Sequence, residues 1–505
     1  MKKFIFISIT VFLLFAITGC ISDGNDDSEK YPTKKFWALN SSAETSTFYQ
    51  LTAEKLTENS RCEVWAEKGS GVTKETAILI ANEYADNIYT KMMDNFGWED
   101  DIPLYDNKGN IIGCEKMDTM ETAHFYATND LNNTKLTILL LDIKDGYKPG
   151  VNDSYVAGYF FIYDLLAELL PPGYKSNNLD MIYIDTNPGL NSEKMSEAYI
   201  TLAHEMQHLM NSTSSITYRV KDRTLYVMDT WIDEGLSSAA EQVYSGEHSM
   251  NRVEWFKLNG DGKNSKGKID EGNNFYVWNN RVTKSEPYPI LDDYATVYLF
   301  FQWLRLQSSD DIYKEIIMSK NYDNQAVVNA FNKIQTSGSN YSDWESMLKD
   351  WLMANNINSS SGRTGYSNDP AFKDIKAPYA PEGKKTLGLY PGEGVYSYSI
   401  SNPSVSPKKN IKYEYIIDNK TLLTYNANLT NDDENIDSLI ENGAITGKKP
   451  PAPAASIVIT GSINLKQGSS QISGPFPIGM GDVIRMNKPN NTLKFDGFKD
   501  RKGFY

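Results

Sequence analysis

The chain has little cysteine, with three residues among 505. Neither Cys62 nor Cys114 is paired with a neighbouring histidine in the sequence, so a cysteine-based catalytic site is not indicated. Their spacing leaves two states open, because an exported protein permits a disulfide between them while two isolated thiols can equally stay free. The third, Cys20, belongs to the N-terminal segment described below.

Positive charge is also in short supply. Lys and Arg number 50 against 65 Asp and Glu, so the net charge is −15. This charge argues against a nucleic-acid partner, because phosphates require a basic face. Beyond the N-terminal segment no stretch approaches the roughly 18 consecutive apolar residues of a membrane-spanning helix. A hydrophobic content of 40% is ample for globular cores, and the length suggests two to four domains.

Histidine is rare, with four residues, yet two of them stand in the run His204-Glu-Met-Gln-His208. With so few histidines, chance produces this pattern on the order of twice in a thousand such chains. Flanking apolar residues recur at helical spacing and predict an amphipathic helix. Histidines at i and i+4 share one helix face, so both can bind a single Zn²⁺. Glu205 is then placed to act as general base on water held by the metal.

A catalytic zinc site needs a third protein ligand. The metzincin pattern is excluded, because Asn211 and Ser214 occupy the positions where it requires Gly and His. Downstream, Thr230 and Asp233 form a cap signature that predicts a second helix. Glu234 in the first turn of that helix is the candidate third ligand. Should it not bind the metal, the neighbouring carboxylates Asp229, Asp233 and Glu241 are the alternatives.

These residues resemble a known family. His204 to His208 is followed by the run Trp231-Ile-Asp-Glu-Gly-Leu, whose Glu234 stands 26 residues after His208. This combination is similar to the gluzincin zinc peptidases, and the strands before the motif resemble the hyicolysin family of bacterial secreted neutral metallopeptidases. The likeness spans roughly residues 136 to 355. It implies one catalytic zinc bound by His204, His208 and Glu234, with Glu205 as the general base. Asp233 departs from the Asn common in gluzincins, at a position that is not a ligand.

Gluzincins commonly supply a phenol or imidazole, from a helix after the third ligand, to stabilise the oxyanion. Here a helix capped by Asp292-Asp293 is predicted, and it carries Tyr294 and Tyr298 one turn apart on one face. Either tyrosine could serve, and Tyr294 is preferred. His248, the remaining histidine in this half of the chain, is expected to be an ordinary exposed side chain.

The predicted fold class is α+β. A zincin-like catalytic unit combines an N-terminal α/β part (36–190) with a mainly helical lobe carrying the zinc site (191–358), and a C-terminal all-β, sandwich-like domain follows (380–505). Strands are predicted from Lys35 to Ser70 and again from Leu136, with a helix from Lys74 to Phe96 capped by Thr73 and an irregular stretch after it.

The N-terminus has the pattern of an export signal. Lys2 and Lys3 precede an apolar run that is too short to span a membrane stably, and Ile17-Thr18-Gly19-Cys20 resembles the lipobox of bacterial lipoproteins. The interpretation is a signal peptide over 1–20, a lipid on Cys20 and a flexible tether over 21–35. The protein is then exported and lipid-anchored at the bacterial cell envelope. Whether a pro-segment up to about Asp130 is removed stays open.

The predicted function is a zinc endopeptidase acting on extracellular proteins or peptides. Two alternatives accompany it. One is a surface binding or adhesion lipoprotein in which the peptidase fold is vestigial, although an intact set of ligands and base speaks against decay. The other is an aminopeptidase, for which the sequence shows no amine-binding signature of the gluzincin type.

Overall fold

A computed structural model describes most of the first 375 residues and four short strands beyond them. The described ranges are 31–42, 47–105, 111–151, 155–190, 195–221, 224–257, 289–335, 339–375, 394–398, 412–416, 421–425 and 492–494. The predicted signal peptide, Cys20 and most of the tether lie outside the described residues. Among the described residues, no helix combines the length and the apolar character that crossing a bilayer requires.

A six-stranded mixed sheet forms the N-terminal part, in the order β1-β2-β3-β6-β8-β7. Its strands are β1 Thr33–Asn40, β2 Thr47–Glu58, β3 Cys62–Glu67, β6 Leu136–Leu141, β7 Gly158–Phe160 and β8 Met181–Asp185, while β4 Glu99–Tyr105 and β5 Ile111–Asp118 pair separately as a hairpin. The β3-β6 and β6-β8 pairs are parallel, and the edge strand β7 runs antiparallel to β8.

The centre of the sheet explains the apolar runs in the sequence. Every residue of β6 and β8 is buried, because helices and loops cover both faces of these inner strands. Two apolar clusters flank the sheet: one includes Phe36 and Leu139, and the other includes Ile138 and extends into the helices. This α+β arrangement agrees with the predicted class.

Helices surround the sheet and make up most of the described residues from 195 to 357. They are α1 Lys74–Glu83, α2 Tyr89–Phe96, α3 Thr119–Thr128, α4 Met195–Tyr218, α5 Thr230–Ser245, α6 Met250–Lys257, α7 Pro289–Leu306, α8 Ile312–Ile317, α9 Asn324–Ile334 and α10 Trp344–Ile357. A π-helical turn, Tyr84–Ile88, joins α1 to α2, so the predicted helix from Lys74 to Phe96 is present without an intervening loop. Thr73 accepts a hydrogen bond from the backbone N–H of Thr76, which confirms the predicted cap.

Three local predictions are wrong. The stretch after Phe96 is not irregular but holds β4, β5 and α3, and α3 begins with a capping box between Asp118 and Glu121 that is visible in the sequence. The N-cap of α5 is Asp229, and Thr230 is its first helical residue. Helix α7 begins at Pro289, so Asp293 lies inside the helix and is buried. Proline suits a first helical turn, where its missing N–H is not needed.

The state of the two cysteines is also decided by the fold. Cys62 is buried on β3 and Cys114 is exposed on β5, and both are free thiols. Burial raises the pKa of the Cys62 thiol to about 12. Cys62 therefore stays protonated and behaves as a small apolar core residue.

The predicted C-terminal β domain is described only in part. The strands β11 Gly394–Tyr398, β12 Lys412–Ile416 and β13 Thr421–Tyr425 form an antiparallel three-stranded sheet. A further strand, β14 Thr492–Lys494, pairs with β10 Thr224–Tyr226, which itself pairs with β9 Val220–Lys221. The rest of 380–505 lies outside the described residues, and the sandwich stays a prediction.

Close packing of α5 against α7 depends on Gly235. A Cβ atom at this position would lie 2.2 Å from the ring of Phe301. In an open helix interior Ala is about 1 kcal/mol more favourable than Gly. At Gly235 the overlap of a Cβ atom with the Phe301 ring costs more than the helix propensity of Ala contributes, because a packed core resists added volume.

We therefore expect Gly235→Ala to lower the free energy of unfolding by about 1–3 kcal/mol, measured by urea denaturation. Gly113→Ala is the control, because a Cβ on that exposed β5 residue would meet nothing within 4 Å. A Gly235→Ala variant as stable as the wild type would contradict the proposed contact.

Candidate metal centre

Helix α4 carries the two histidines of the motif on one buried face. His204 and His208 are fully buried, and the centroids of their rings lie 4.8 Å apart. Helix α4 packs on β7 and β8. Gly158 of β7 permits this approach, because a Cβ there would lie 2.8 Å from the Thr201 methyl group on α4 and 2.7 Å from the Tyr183 carbonyl oxygen.

Helix α5 brings Glu234 opposite both imidazoles. Its Oε2 atom lies 3.6 Å from His204 Nε2 and 3.7 Å from His208 Nε2. One ligand atom from each of the three residues can be chosen so that all lie within 4.8 Å of one another. The predicted ligand set is thus brought together by the packing of α4 against α5, across 26 residues of sequence.

The other nitrogen of His204 is held by a carboxylate. Nδ1 lies 2.8 Å from Oε1 of Glu241, which in turn accepts a hydrogen bond from Arg252 at 2.5 Å. Burial by itself raises the pKa of Glu241, but Arg252 and His204 overcome this effect and hold the pKa below its ordinary value. The ionised carboxylate accepts the Nδ1 proton, which fixes the ring so that Nε2 faces Glu234.

His208 is oriented in a similar way by different residues. Its Nδ1 atom lies 2.9 Å from Ser237 Oγ and 3.0 Å from Asp233 Oδ2. Asp233 also accepts a hydrogen bond from the Asn211 amide, whose oxygen accepts one from buried Arg219. Both imidazoles therefore have fixed ring planes, with their Nε2 atoms directed into the same space.

The cluster suits a divalent metal ion. Both Nε2 atoms are buried and have no hydrogen-bond partner within the described part of the chain, an arrangement that is costly unless another group binds them. Burial lowers the pKa of His204, but the neighbouring carboxylates of Glu234 and Glu241 outweigh this effect and raise the pKa to about 10. The surroundings thus favour positive charge at this imidazole. Two imidazoles and one carboxylate form a common donor set for catalytic zinc.

Glu205 is buried on the same helix beside these ligands. Its negative charge contributes to the raised pKa of His204 and also to that of Tyr294. Both effects indicate that the carboxylate lies near the metal-binding cluster and near the candidate oxyanion donor. Its role as general base stays a prediction.

The two candidate tyrosines of α7 have different surroundings. The pKa of Tyr294 is raised well above its ordinary value, chiefly by burial and next by the charge of Glu234, so this phenol lies at the cluster. The Tyr298 hydroxyl accepts a hydrogen bond from the Ser249 backbone at 2.8 Å and lies 3.2 Å from His248 Nδ1. Tyr294 therefore interacts with a proposed metal ligand, whereas the Tyr298 hydroxyl contacts the residues that follow α5.

The prediction that His248 is an ordinary exposed residue is wrong. The side chain is only 19% exposed, its Nε2 atom lies 3.2 Å from Asp369, and its ring packs on Phe372. Through Tyr298 it also contacts α7. This histidine links the turn after α5 to α7 and to the segment after α10, and it has no part in the metal-binding cluster.

Some contributors to the site could not be read from the motif. No local sequence pattern marks Ser237 or Arg252, because each acts on the histidines only through contacts between separate helices. Glu241 does carry a signal: it stands seven residues after Glu234, two helical turns away, and therefore shares its face.

Comparison with known proteins agrees with this geometry. No protein-family model matches the chain. The buried cluster of His204, His208 and Glu234 is compatible with zinc binding, which defines a candidate metalloenzyme. Over 330 residues the chain is 28% identical to the neutral metalloprotease ShpI of Staphylococcus hyicus, covering 63% of this chain and 69% of that protein. This similarity supports a metallopeptidase family and a metal-dependent protease in general.

We expect the full-length protein to contain about one zinc per chain and Glu234→Ala to contain far less, because two imidazoles alone leave a catalytic site one ligand short. Elemental analysis after gel filtration measures both values. Glu254→Ala is the control, since Glu254 is exposed on α6. Zinc retained in Glu234→Ala would shift the third ligand to Asp229, Asp233 or Glu241.

Proposed function

We propose that this protein is a zinc-dependent endopeptidase of the hyicolysin type. The observation that carries the proposal is the buried cluster of His204, His208 and Glu234, with Glu205 on the same helix. The similarity to a neutral metalloprotease supports the same reaction class. A vestigial site would be expected to have lost a ligand or the base, and all four side chains are present.

Each residue has a defined part in the proposed reaction. Zinc, when bound by His204, His208 and Glu234, would polarise the scissile carbonyl and make water more acidic. Glu205 accepts a proton from the attacking water and delivers it to the leaving amine. Tyr294 donates a hydrogen bond to the oxygen that becomes negatively charged as the carbonyl carbon turns tetrahedral.

The edge of the sheet next to α4 is the proposed binding place for a peptide substrate. Strand β7 is an edge of the six-stranded sheet and packs against α4. We infer that an extended peptide adds to this edge by backbone hydrogen bonds, which need no particular side chains. This mode favours cleavage inside a polypeptide over removal of terminal residues.

Export and a lipid on Cys20 complete the proposal. The basic start, the short apolar run and the lipobox-like Ile17 to Cys20 support attachment to the cell envelope. The catalytic unit would then meet extracellular proteins or peptides, with no nucleic acid among its partners. The membrane is contacted through the lipid alone.

Glu205→Gln tests the catalytic base. We expect cleavage of a quenched-fluorescence peptide with blocked termini to fall by at least about 10²-fold, because the amide cannot accept the proton. Zinc content should stay near that of the wild type, since Glu205 is not a proposed ligand. Glu197→Gln, an exposed change two turns earlier on α4, is the control and should keep full activity.

The outcomes separate the competing functions. Full proteolysis by Glu205→Gln would exclude Glu205 as the base. A wild-type protein that holds no zinc and cleaves nothing would favour a surface-binding lipoprotein. Cleavage of unblocked peptides alone would favour an aminopeptidase.

Cys20→Ser tests the anchor. We expect the wild-type protein, expressed in bacteria fed a radiolabelled fatty acid, to take up label and to sediment with membranes. The serine variant should take up none, because it lacks the thiol that the lipid requires. Cys114→Ser, an exposed change on β5, serves as the control for loss of a cysteine. Equal labelling of the Cys20→Ser variant and the wild type would contradict lipidation at this residue.

A further inference from the structure

The guanidinium of Arg252 joins three of the helices around the metal-binding cluster. Arg252 lies on α6, contacts Glu241 of α5 and lies against the ring of Tyr294 of α7. The side chains of Arg252 and Glu241 are only 14% and 10% exposed. Water screens such a pair weakly, so the contact restrains both partners.

The first contact acts on a proposed metal ligand. Arg252 Nη2 donates to Glu241 Oε1 at 2.5 Å, and the same oxygen lies 2.8 Å from His204 Nδ1. The carboxylate is thereby held between a cation and the imidazole. Removing a group that hydrogen-bonds to the other ring nitrogen of a metal-binding histidine typically lowers metal affinity or activity by 10- to 100-fold.

The second contact acts on the proposed oxyanion donor. The guanidinium carbon lies 4.9 Å from the centroid of the Tyr294 ring, within the range of a cation–π contact. A planar guanidinium can lie along an aromatic ring and form an ion pair at the same time. A lysine ammonium keeps the positive charge but lacks the planar group. Arg252→Lys should therefore retain the ion pair with Glu241 and lose the contact with the Tyr294 ring.

We propose that Arg252 is a positioning residue that holds His204 through Glu241 and holds the phenol of Tyr294 through its ring. This inference rests on the proposed function. In this role α6, which supplies no ligand, aligns the metal ligand His204 with the Tyr294 phenol that stabilises the oxyanion. Arg252 acts through its two neighbours and needs no contact with the substrate.

The test uses full-length protein and four variants: Arg252→Gln, Arg252→Lys, Tyr294→Phe and the double variant Arg252→Lys with Tyr294→Phe. Lys257→Arg, a partly exposed change on the same helix, is the control. Zinc affinity is measured by competition with a chromophoric chelator, which requires no activity. The kcat and KM values are measured separately on the blocked quenched-fluorescence peptide.

We expect Arg252→Gln to weaken zinc binding by about 10- to 100-fold, because Glu241 loses its cation. Arg252→Lys keeps the ion pair, so zinc affinity should stay near that of the wild type while kcat falls about tenfold and KM changes little. Tyr294→Phe should lower kcat by about 10²-fold or more. The double variant should be no slower than Tyr294→Phe, because the phenol through which Arg252 acts is already gone.

Three results would overturn the inference: unchanged zinc affinity in Arg252→Gln, unchanged kcat in Arg252→Lys, or a kcat in the double variant equal to the product of the two single losses. The failure of the proposed function is distinguishable. If the wild type binds zinc but cleaves no peptide, the proposed endopeptidase function is wrong. The zinc affinity of Arg252→Gln still decides in that case whether Arg252 positions His204.

Discussion

The packing of α4 against α5 brings the whole metal-binding cluster together. It places the Glu234 carboxylate within 3.7 Å of two fully buried imidazoles. Burying so many ionisable groups together is costly unless each has a compensating partner. The surrounding sheet and helices supply those partners, and they leave both Nε2 atoms directed at one point.

The compensation follows one scheme on both sides of the cluster. Each imidazole contacts a carboxylate at Nδ1, and each carboxylate is linked to an arginine, directly for Glu241 and through Asn211 for Asp233. Such networks fix ring orientation before any ligand arrives. The same scheme explains why Arg252 on α6 and Arg219, which directly follows α4, matter to the site although neither is a proposed ligand.

Sequence reasoning succeeded where the chemistry is local. The two histidines stand one helical turn apart, and the Thr73 cap and the buried strands β6 and β8 are encoded in short patterns. It failed where contacts are non-local. The partners of His248, Tyr298 and Asp369, lie 50 and 121 residues away, so no local pattern distinguishes this histidine from an exposed one. Asp292 and Asp293 resemble a cap, but the helix already begins at Pro289.

The donor types, their spacing on α4 and the candidate third ligand follow from the sequence alone, because helical periodicity fixes which side chains share a face. Helix packing, in contrast, brings Glu234 opposite both histidines, Tyr294 rather than Tyr298 to the cluster, and Arg252 between Glu241 and Tyr294. These are contacts between separate helices. Their geometry follows from how apolar faces pack across the whole core, which no short stretch of sequence encodes.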